Sequence, residues 1–372
     1  MRNSSRPESG DVMRVLICTV VHHVSDARIF RRQIGALREA SIDVTVIAPF
    51  ASSDLADPHL QHMAIPRAVG RHRFASWRAA RARISAMAAH VDALLIHDPE
   101  LLIVIPWREL RRMNVRVIWD VHEDLGAALA VKTYIPAPLR QLLVPAVHLV
   151  ERLAERRATL FLAEVAYSQR FRKVHTKVLN LPLVPEVKPT GVRKRQAIYV
   201  GSITRERGLD TMLAMADSLA AHGVGLRLIG EVPNTDDRER VREALNVSWD
   251  GPLPNADAMH EVEASMVGLA LLQDLPNYRH SMPTKILEYM ASGTAVVATP
   301  LPLSREVLGS DGVVLSGFDD PVEAVHAVVA LCDDDTRRER ITENAYLHVR
   351  DFYNWNIAKH SFVAAVRAAA NR

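Results

Sequence analysis

The sequence contains only two cysteines in 372 residues, and Cys18 and Cys332 lie far apart along the chain. This spacing excludes a disulfide framework and a cysteine-rich zinc site, and it is typical of a protein in a reducing cytoplasm. No apolar run reaches the roughly 18 residues of a transmembrane helix. Residues 1–12 are polar and lack the apolar stretch of a signal peptide, and we expect them to form a disordered tail. These absences predict a cytoplasmic protein.

Several catalytic signatures are also missing. The first predicted strand is not followed by Gly-x-Gly-x-x-Gly, which argues against a dinucleotide-dependent oxidoreductase. Ser168 has neither a Gly-x-Ser-x-Gly context nor a strand-to-helix turn, so we predict no hydrolase triad. The His, Asp and Glu residues show no fixed ligand spacing, and we therefore expect neither a metal nor another cofactor.

Charge is distributed unevenly along a chain whose net charge is only +3. Residues 1–190 contain 27 Lys and Arg against 18 Asp and Glu, whereas the remainder contains 19 against 25. The basic half could contact anionic lipid, an anionic acceptor or nucleic acid, or it could be a solvated basic surface. Because the basic residues come without a base-reading motif, we expect no nucleic-acid partner.

Short apolar runs alternate with segments of helical periodicity in both halves of the chain. This alternation predicts an α/β fold of two Rossmann-like, doubly wound parallel-sheet domains that face a cleft. In the first half we also predict a helix over 26–40, a single helix over 100–113 and an irregular segment over 50–70. The predicted strands used below are 14–21, 43–48, 92–96, 115–119, 197–200, 225–230, 267–272 and 294–299.

A linker is predicted between the two series of strands. Residues 186–196 contain a proline, a glycine and four cations without periodicity, which is typical of a connecting segment. The domains are accordingly placed at 13–185 and 197–355. The last segment, 356–372, is predicted as a helix that could pack back on the N-terminal domain.

The stretch 280–299 has the strongest functional pattern. A helix is predicted to begin near Thr284 and to end at Gly293, before a buried strand. Lys285 lies at the helix N-terminus, and both the lysine and the helix end attract an anion. Glu288, one turn further along, can accept hydrogen bonds from paired sugar hydroxyls. This combination predicts a site for a nucleotide sugar.

A second phosphate-binding candidate is the loop Gly201–Gly208, which follows a predicted strand and opens a helix. Glycine lets backbone amides approach a phosphate, and Arg207 could neutralise its charge. A tight strand-to-helix turn also favours glycine, so both interpretations of the loop stay open.

Polar residues follow three predicted strands of the first half. The pair His97–Asp98 follows one strand, the segment with His122 and Glu123 follows the next, and His22 follows the first strand. In this architecture ligands bind at the carboxyl ends of the strands, so His122 is a candidate contact for a sugar or an acceptor. The alternative is a set of capping carboxylates and hydrogen-bonded histidines in loops without function.

Two predicted helices, 73–90 and 137–158, are rich in arginine. A basic amphipathic helix can lie on an anionic membrane, which would make the protein peripheral at the inner face of the membrane. A helix that packs on the sheet and exposes its arginines to water explains the same pattern.

Several of these segments, in this order, resemble the motifs of the family 4 retaining glycosyltransferases, which have the GT-B fold. The resemblance covers essentially the whole chain from Met13, and its strongest part is Pro283–Val297. The supporting matches are Asp26–Phe30, His97–Glu100, Asp120–Glu123, Tyr199–Ser202 and Glu206–Gly208.

The resemblance implies transfer of a sugar, with retention, from a UDP- or GDP-type donor to a glycan, a lipid-linked or a small-molecule acceptor, without a metal. It implies that the N-terminal domain binds the acceptor and the C-terminal domain the donor. Glu288 would hold the donor ribose, and His122 would be catalytic, near the reacting sugar. Together with the loop and helix patterns, it assigns the donor diphosphate to Gly201, Arg207, Thr284 and Lys285.

The chain departs from the family pattern at two places. His280 stands where the family often has a first glutamate, and the usual glycine pair after the first strand is replaced near His22. We therefore predict only that a donor-sugar or acceptor cleft is lined by His280, His97, Asp98, Glu123 and His22. Two rival functions stay open: a nucleotide-sugar 2-epimerase of the same fold, and a non-catalytic partner subunit, which the histidine would suit.

Overall fold

The structure is a computed structural model that describes residues 12–55, 57–122, 137–308 and 312–371. The chain divides into two compact units, the first Met1–Leu179 with Lys359–Arg372 and the second Asn180–Ala358. The whole segment predicted as a linker, 186–196, therefore belongs to the second unit, whose first strand begins at Lys194. Most of the final helix belongs to the first unit.

The first unit is built on a parallel sheet. Among the residues that the structure describes it has seven strands, in the order β3-β2-β1-β4-β5-β6-β7. The order reverses between β1 and β4, which makes this pair the topological switch point. The strands are β1 (Arg14–Cys18), β2 (Asp43–Ala48), β3 (Gln61–Ala64), β4 (Ala93–Ile96), β5 (Arg116–Val121), β6 (Thr159–Leu162) and β7 (Thr176–Lys177).

Helices and a buried apolar core accompany this sheet. The core includes fully buried side chains from successive strands, among them Leu16, Leu94 and Leu160. The helices are α1 (Gly35–Glu39), α2 (Arg73–Met87), α3 (Leu101–Val104), α4 (Trp107–Arg112) and α5 (Ala137–Arg157).

Three predictions for this unit need correction. The single helix predicted over 100–113 is wrong, because Pro106 disfavours helical geometry in the residue before it, and Ile105 is extended (φ −63°, ψ 147°) between α3 and α4. The segment predicted as irregular contains β3, an edge strand without an apolar pattern that pairs with β2. The helix predicted over 26–40 begins instead as a π-helical segment, Ala27–Ile34.

The second unit is also built on a parallel sheet. Its described residues form six strands in the order β10-β9-β8-β11-β12-β13, with the switch point between β8 and β11. The strands are β8 (Lys194–Val200), β9 (Gly225–Ile229), β10 (Val247–Trp249), β11 (Ser265–Ala270), β12 (Ala295–Ala298) and β13 (Val314–Leu315). The remaining helices are α6 (Leu209–Ala221), α7 (Thr235–Glu243), α8 (Asn255–Glu263), α9 (Pro276–Arg279), α10 (Thr284–Ala291), α11 (Pro302–Leu308), α12 (Pro321–Asp333), α13 (Asp335–Phe352) and α14 (Trp355–Ala370).

The predicted helix, glycine and strand within 280–299 are confirmed. Helix α10 begins at Thr284, and Gly293 follows it with a φ of +64°, a left-handed conformation that glycine adopts without a Cβ penalty. The next strand, β12, is buried throughout. No helix in the described ranges is long and apolar enough to cross a membrane.

Candidate functional site

A histidine cluster lies at the switch point of the first sheet. It consists of His22, His97, His122, Asp98 and Asp120. The side chains of His22 and His122 are 18% and 14% exposed, whereas those of the other three are at most 3% exposed. These two histidines are therefore the members of the cluster that a ligand can reach.

A buried ion pair anchors the cluster. Asp120 receives hydrogen bonds from Nε and Nη2 of Arg28, at 2.8 and 2.6 Å, and from Gln33 at 3.0 Å. Arg28 also donates to the carbonyl oxygen of Val178 at 2.7 Å. The wider turn of the π-helical segment brings Arg28 and Gln33, five residues apart, to the same carboxylate. Burial alone would raise the pKa of Asp120, but the Arg28 guanidinium holds it well below its usual range.

His97 is buried and neutral. Gln33 uses its amide N–H on Asp120, so its carbonyl oxygen accepts from Nε2 of His97 at 2.7 Å. The other ring nitrogen, Nδ1, is buried without a hydrogen-bond partner. Burial, assisted by the neighbouring cationic groups and opposed by Asp120, lowers the pKa of His97 to about 3. Its contacts make it a supporting residue beneath the two exposed histidines.

The contacts of His22 and His122 join the two rings. Nδ1 of His22 lies 2.9 Å from a carboxylate oxygen of Asp26. Nδ1 of His122 lies 3.1 Å from the backbone oxygen of Asp120. The two Nε2 atoms are 3.1 Å apart. Both nitrogens of each ring therefore lie within hydrogen-bond distance of a neighbouring group.

Two carboxylates hold this histidine pair in position. Burial would raise the pKa of Asp26, but hydrogen bonds from His22 and from the N–H of Ile29 lower it to about 2. Asp98 accepts from the N–H of Val20 at 2.6 Å and lies 3.4 Å from Nε2 of His22. Burial raises the pKa of Asp98 despite the opposing effect of His22. The pair can donate hydrogen bonds to a ligand or stabilise a nearby negative charge.

A cation pair, Arg207 and Lys285, lies near the switch point of the second sheet. Lys285 belongs to the first turn of α10, and its Nζ lies 5.0 Å from the ring centre of Tyr199. Burial and the charge of Arg207 outweigh the attraction of Glu288 and lower the pKa of Lys285 to about 8. The ammonium group is therefore close to a second cation and incompletely balanced by a carboxylate.

Arg207 lies beside two tyrosines. Its guanidinium is close to the hydroxyls of Tyr199 and Tyr278. Burial raises the pKa of Tyr199 to about 12, and its hydroxyl donates a hydrogen bond to the carbonyl oxygen of Ser202 at 2.8 Å. Since these neighbours are hydroxyls and not carboxylates, they do not cancel the charge of the guanidinium.

Two glycines permit this arrangement. A Cβ on Gly201, which has a φ of +132°, would lie 2.2 Å from Nζ of Lys285. A Cβ on Gly208, with a φ of +88°, would lie 2.2 Å from the carbonyl oxygen of Leu271. The first glycine leaves room for the lysine, and the second lets the turn that carries Arg207 approach the end of β11.

The N-terminus of α10 completes the anion-attracting surface. Its N-cap, Pro283, has no side chain that accepts from the first-turn amides, and the hydroxyl of Thr284 lies 3.4 Å from the carbonyl oxygen of Met282. Helix N-termini and cations together bind anionic groups such as phosphates. Glu288 is partly buried one turn after Lys285 on the same helix. This places a carboxylate beside a surface suited to a diphosphate.

The structure thus groups the predicted site residues into two sets. In the second unit it brings together Gly201, Arg207 and Lys285, with Thr284 and Glu288 on the same helix as the lysine. His280 is exposed at the end of the short helix α9. In the first unit it brings together the predicted His22, His97, Asp98 and His122, while Glu123 lies outside the described residues. None of the described residues forms a group of three or more His, Cys, Asp or Glu suited to a metal ion.

Sequence reasoning missed several contributors. Asp26 and Arg28 lie in a segment that matched the family pattern, so that match was the available signal. Gln33 has no such signal, because only the π-helical turn directs it to Asp120. Tyr199 and Tyr278 were missed because an aromatic residue at a strand end or in a loop is not informative by itself.

The fold is that of known two-domain glycosyltransferases, the GT-B fold. The sucrose-phosphate synthase of Thermosynechococcus elongatus has a TM-score of 0.71 at 17% identity, over 96% of this chain and 98% of that one. The Anabaena protein HepE, solved with UDP-glucose, has a TM-score of 0.71 at 12% identity, over 96% of this chain and 100% of that chain. The chain therefore has two Rossmann-like domains of the GT-B type.

The second unit is similar to glycosyltransferases in sequence as well. Residues 194–334, which lie in this unit, match the family model Glycosyl transferases group 1. The alpha-D-kanosaminyltransferase of Streptomyces kanamyceticus is 30% identical over 152 residues, which are 40% of this chain and 39% of that protein. The chain thus matches about two fifths of the length of this curated relative. The cation pair lies within the matched range.

Proposed function

We propose that the protein is a retaining glycosyltransferase that moves a hexose from a UDP- or GDP-type donor to a glycan, a lipid-linked or a small-molecule acceptor. The observation that carries the proposal is the cation pair, which lies at a switch point beside a helix N-terminus in the unit that matches the glycosyltransferase family. A leaving nucleoside diphosphate supplies the negative charge that these groups lack. The UDP-glucose bound by HepE supports a UDP-type donor.

The proposed chemistry needs fixed positive charge where the diphosphate departs. The bond between the anomeric carbon and the diphosphate oxygen breaks, and the acceptor oxygen bonds to the same face of that carbon. The acceptor proton passes to the departing diphosphate. Preorganised cations and amides stabilise the charge that develops on the leaving group. We assign this role to Lys285, Arg207 and the first turn of α10, and we propose that no metal or other cofactor is required.

We assign the remaining donor contact to the second unit and the contacts with the reacting sugar and the acceptor to the first unit. Glu288 accepts hydrogen bonds from the donor ribose, as the carboxylate beside the phosphate surface. His122 contacts the reacting sugar, and the first unit binds the acceptor. We propose a cytoplasmic protein whose basic helices α2 and α5 could contact anionic lipid, with no nucleic-acid partner.

The direct test is a binding screen against nucleotides and nucleotide sugars. A ligand that binds the folded protein raises its unfolding temperature by mass action. We expect UDP or GDP and the matching sugar donor to produce such a shift, and calorimetry should show binding that Glu288→Gln weakens by about tenfold, the loss of roughly 1.4 kcal/mol. The matched control is Glu243→Gln, an exposed carboxylate of the same unit.

The outcomes separate the rival functions. No shift with any nucleotide, or equal loss in both variants, would overturn the donor site. Conversion of a UDP-sugar to its isomer without an acceptor would identify an epimerase. Donor binding without transfer or hydrolysis, in a protein that retains a stable partner, would indicate a non-catalytic subunit.

A further inference from the structure

A groove of about 1310 Å³ lies on the first unit, at the amino ends of β5 and β6. Seven arginines and a single carboxylate, Glu109, contribute to its lining. Apart from Arg81, the arginines are Arg108, Arg111, Arg112, Arg116, Arg156 and Arg157. We call this feature the arginine groove. The histidine cluster lies at the carboxyl edge of the same sheet, and the six residues of β5 span roughly 20 Å between the two edges.

Six of the seven arginines of the groove, all except Arg81, lack internal side-chain partners in the part of the chain that the structure describes. Within the described ranges, none of these six arginines forms an ion pair or a side-chain hydrogen bond. The Nε atom of Arg116 is buried without an acceptor. Arg81 donates to the carbonyl oxygen of Val104 at 2.7 Å. Glu109 already accepts a hydrogen bond from Ser85 at 2.7 Å. The guanidinium groups therefore face the groove with their hydrogen-bonding capacity largely unused.

The nearby negative charge does not balance the positive charge of the arginine groove. Two of its arginine pairs lie in the last turns of α4 and α5, where a helix end contributes about half a negative charge. Two helix ends and Glu109 supply about two negative charges against seven positive ones. An excess of about five remains in one groove.

Arginines elsewhere in the chain show that this is not the general pattern. In the second unit Arg205 pairs with Asp237 at 2.7 Å, Arg240 with Asp210 at 2.7 Å, and Arg279 with Asp274 at 2.6 Å. These exposed arginines are neutralised by carboxylates of their own unit. The arginine groove has no such carboxylates beyond Glu109, so its charge is available to a ligand.

We propose that the arginine groove binds a ligand with several phosphate charges, as a site separate from the donor site of the second unit. Guanidinium groups bind phosphate oxygens through paired N–H donors. The volume exceeds the 300–1,000 Å³ that is usual for small-molecule pockets, which leaves room for a di- or triphosphate or for phospholipid headgroups. The site does not depend on the proposed sugar transfer, because none of its residues belongs to the cation pair or the histidine cluster. It does share Arg81, Arg156 and Arg157 with the basic helices α2 and α5.

The test compares two triple charge reversals. The groove variant is Arg111→Glu with Arg112→Glu and Arg156→Glu. The control is Arg71→Glu with Arg172→Glu and Lys177→Glu, three exposed basic residues of the same unit that are outside the groove lining and outside helices α2 and α5, and that change the net charge equally. Inorganic tripolyphosphate in calorimetry probes a soluble phosphate ligand. Sedimentation with phosphatidylcholine vesicles, with and without phosphatidylglycerol, probes a headgroup.

We expect the groove variant to lose at least about tenfold in affinity for tripolyphosphate, for phosphatidylglycerol vesicles or for both, while the control stays within about twofold of wild type. Loss with one probe identifies the source of the phosphate, and loss with both supports the shared chemistry. Wild-type binding by the groove variant, or equal loss in the control, would overturn the proposal.

Folding and the donor site are checked separately. Circular dichroism and the unfolding temperature report whether each variant folds. If the triple charge reversal does not fold, the double variant Arg156→Gln with Arg157→Gln is the milder alternative. This double variant should also weaken binding of the affected probe. UDP binding should be unchanged in both groove variants, since the donor site is in the other unit.

Discussion

The carboxyl edges of the two sheets differ in how their charges are balanced. In the first unit, Asp120 is paired with Arg28 and Gln33, and the two exposed histidines are held by further carboxylates. In the second unit, Arg207 lies beside two tyrosines, and Lys285 lies beside that arginine. The first edge is internally neutralised, whereas the second retains positive charge.

The pKa shifts have opposite meanings at the two edges. Hydrogen bonds from His22 and Ile29 outweigh burial and lower the pKa of Asp26 to about 2, so its charged form is favoured. Burial and the charge of Arg207 lower the pKa of Lys285 to about 8, so its charged form is disfavoured. A cationic form that is disfavoured in the free protein can be stabilised by an anionic ligand. This difference supports the proposal that a phosphate group binds to the second unit.

Removing the buried ion pair of the first unit should have the largest effect on the free energy of unfolding. Arg28→Met leaves Asp120 buried without its ion-pair partner, and loss of one partner from a buried pair typically costs about 3–5 kcal/mol. Urea unfolding should show this decrease in the free energy of unfolding. Adding Asp120→Asn should restore part of it. The exposed pair Arg279–Asp274 offers the control, because Arg279→Met should change stability little.

An equal decrease in the free energy of unfolding in both single variants would contradict the contrast between the buried and the exposed ion pair. It would mean that the Arg28–Asp120 pair contributes no more than an exposed pair does.

Changing the charged edge should increase stability while it removes function. The pKa of Lys285 is lowered from 10.5 to about 8, so the unfolded chain binds this proton more tightly than the folded protein does. At pH 7 the charged lysine therefore destabilises the fold, by up to about 3 kcal/mol, and the penalty disappears as the pH rises through 8 to 10.5. Lys285→Met should raise the free energy of unfolding at pH 7 and weaken UDP binding by at least about tenfold.

The matched control for this variant is Lys194→Met, an exposed lysine of the same unit. Loss of stability in Lys285→Met, with UDP binding unchanged, would show that the cation pair is structural.

The last prediction, whose effect is small for each unit of pH, concerns the support beneath the histidine pair. The pKa of His97 is lowered from 6.5 to about 3, so between these values the unfolded chain binds the proton that the folded protein excludes. Stability should decrease as the pH falls below 6.5, by up to about 1.4 kcal/mol per pH unit. His97→Gln keeps a donor for Gln33 and removes this titration, so its free energy of unfolding should depend less on pH between 6.5 and 4.

Burial also raises the pKa of Asp98 and lowers the pKa of His62, so the histidine is reported by the difference in slope between wild type and His97→Gln and not by the wild-type slope alone. Identical slopes in wild type and His97→Gln would show that the buried ring is protonated in the folded protein.

Sequence patterns predicted those parts of the fold and candidate site that depend on local chemistry. The alternation of strands and helices predicted two parallel sheets, and the glycine and apolar periodicity of 280–299 predicted α10 and β12. The edge strand β3 was missed, because its pairing with β2 leaves no apolar pattern in its own residues. Pro106 divided one predicted helix into two, although the proline was visible in the sequence. The donor and catalytic roles of the site residues stay predictions.

The sequence by itself determined which residues carry charge and where the strands end, because periodicity, glycine and proline act over a few neighbouring positions. It thereby marked Lys285, Arg207 and His122 as candidates. Only the tertiary structure decided which charges are neutralised, because ion pairing depends on distances between segments far apart in the chain. Arg28 meets Asp120 across 92 positions, and the cation pair acquires tyrosines where carboxylates would cancel its charge. The arginine groove is likewise a product of folding, since its arginines come from three separate segments.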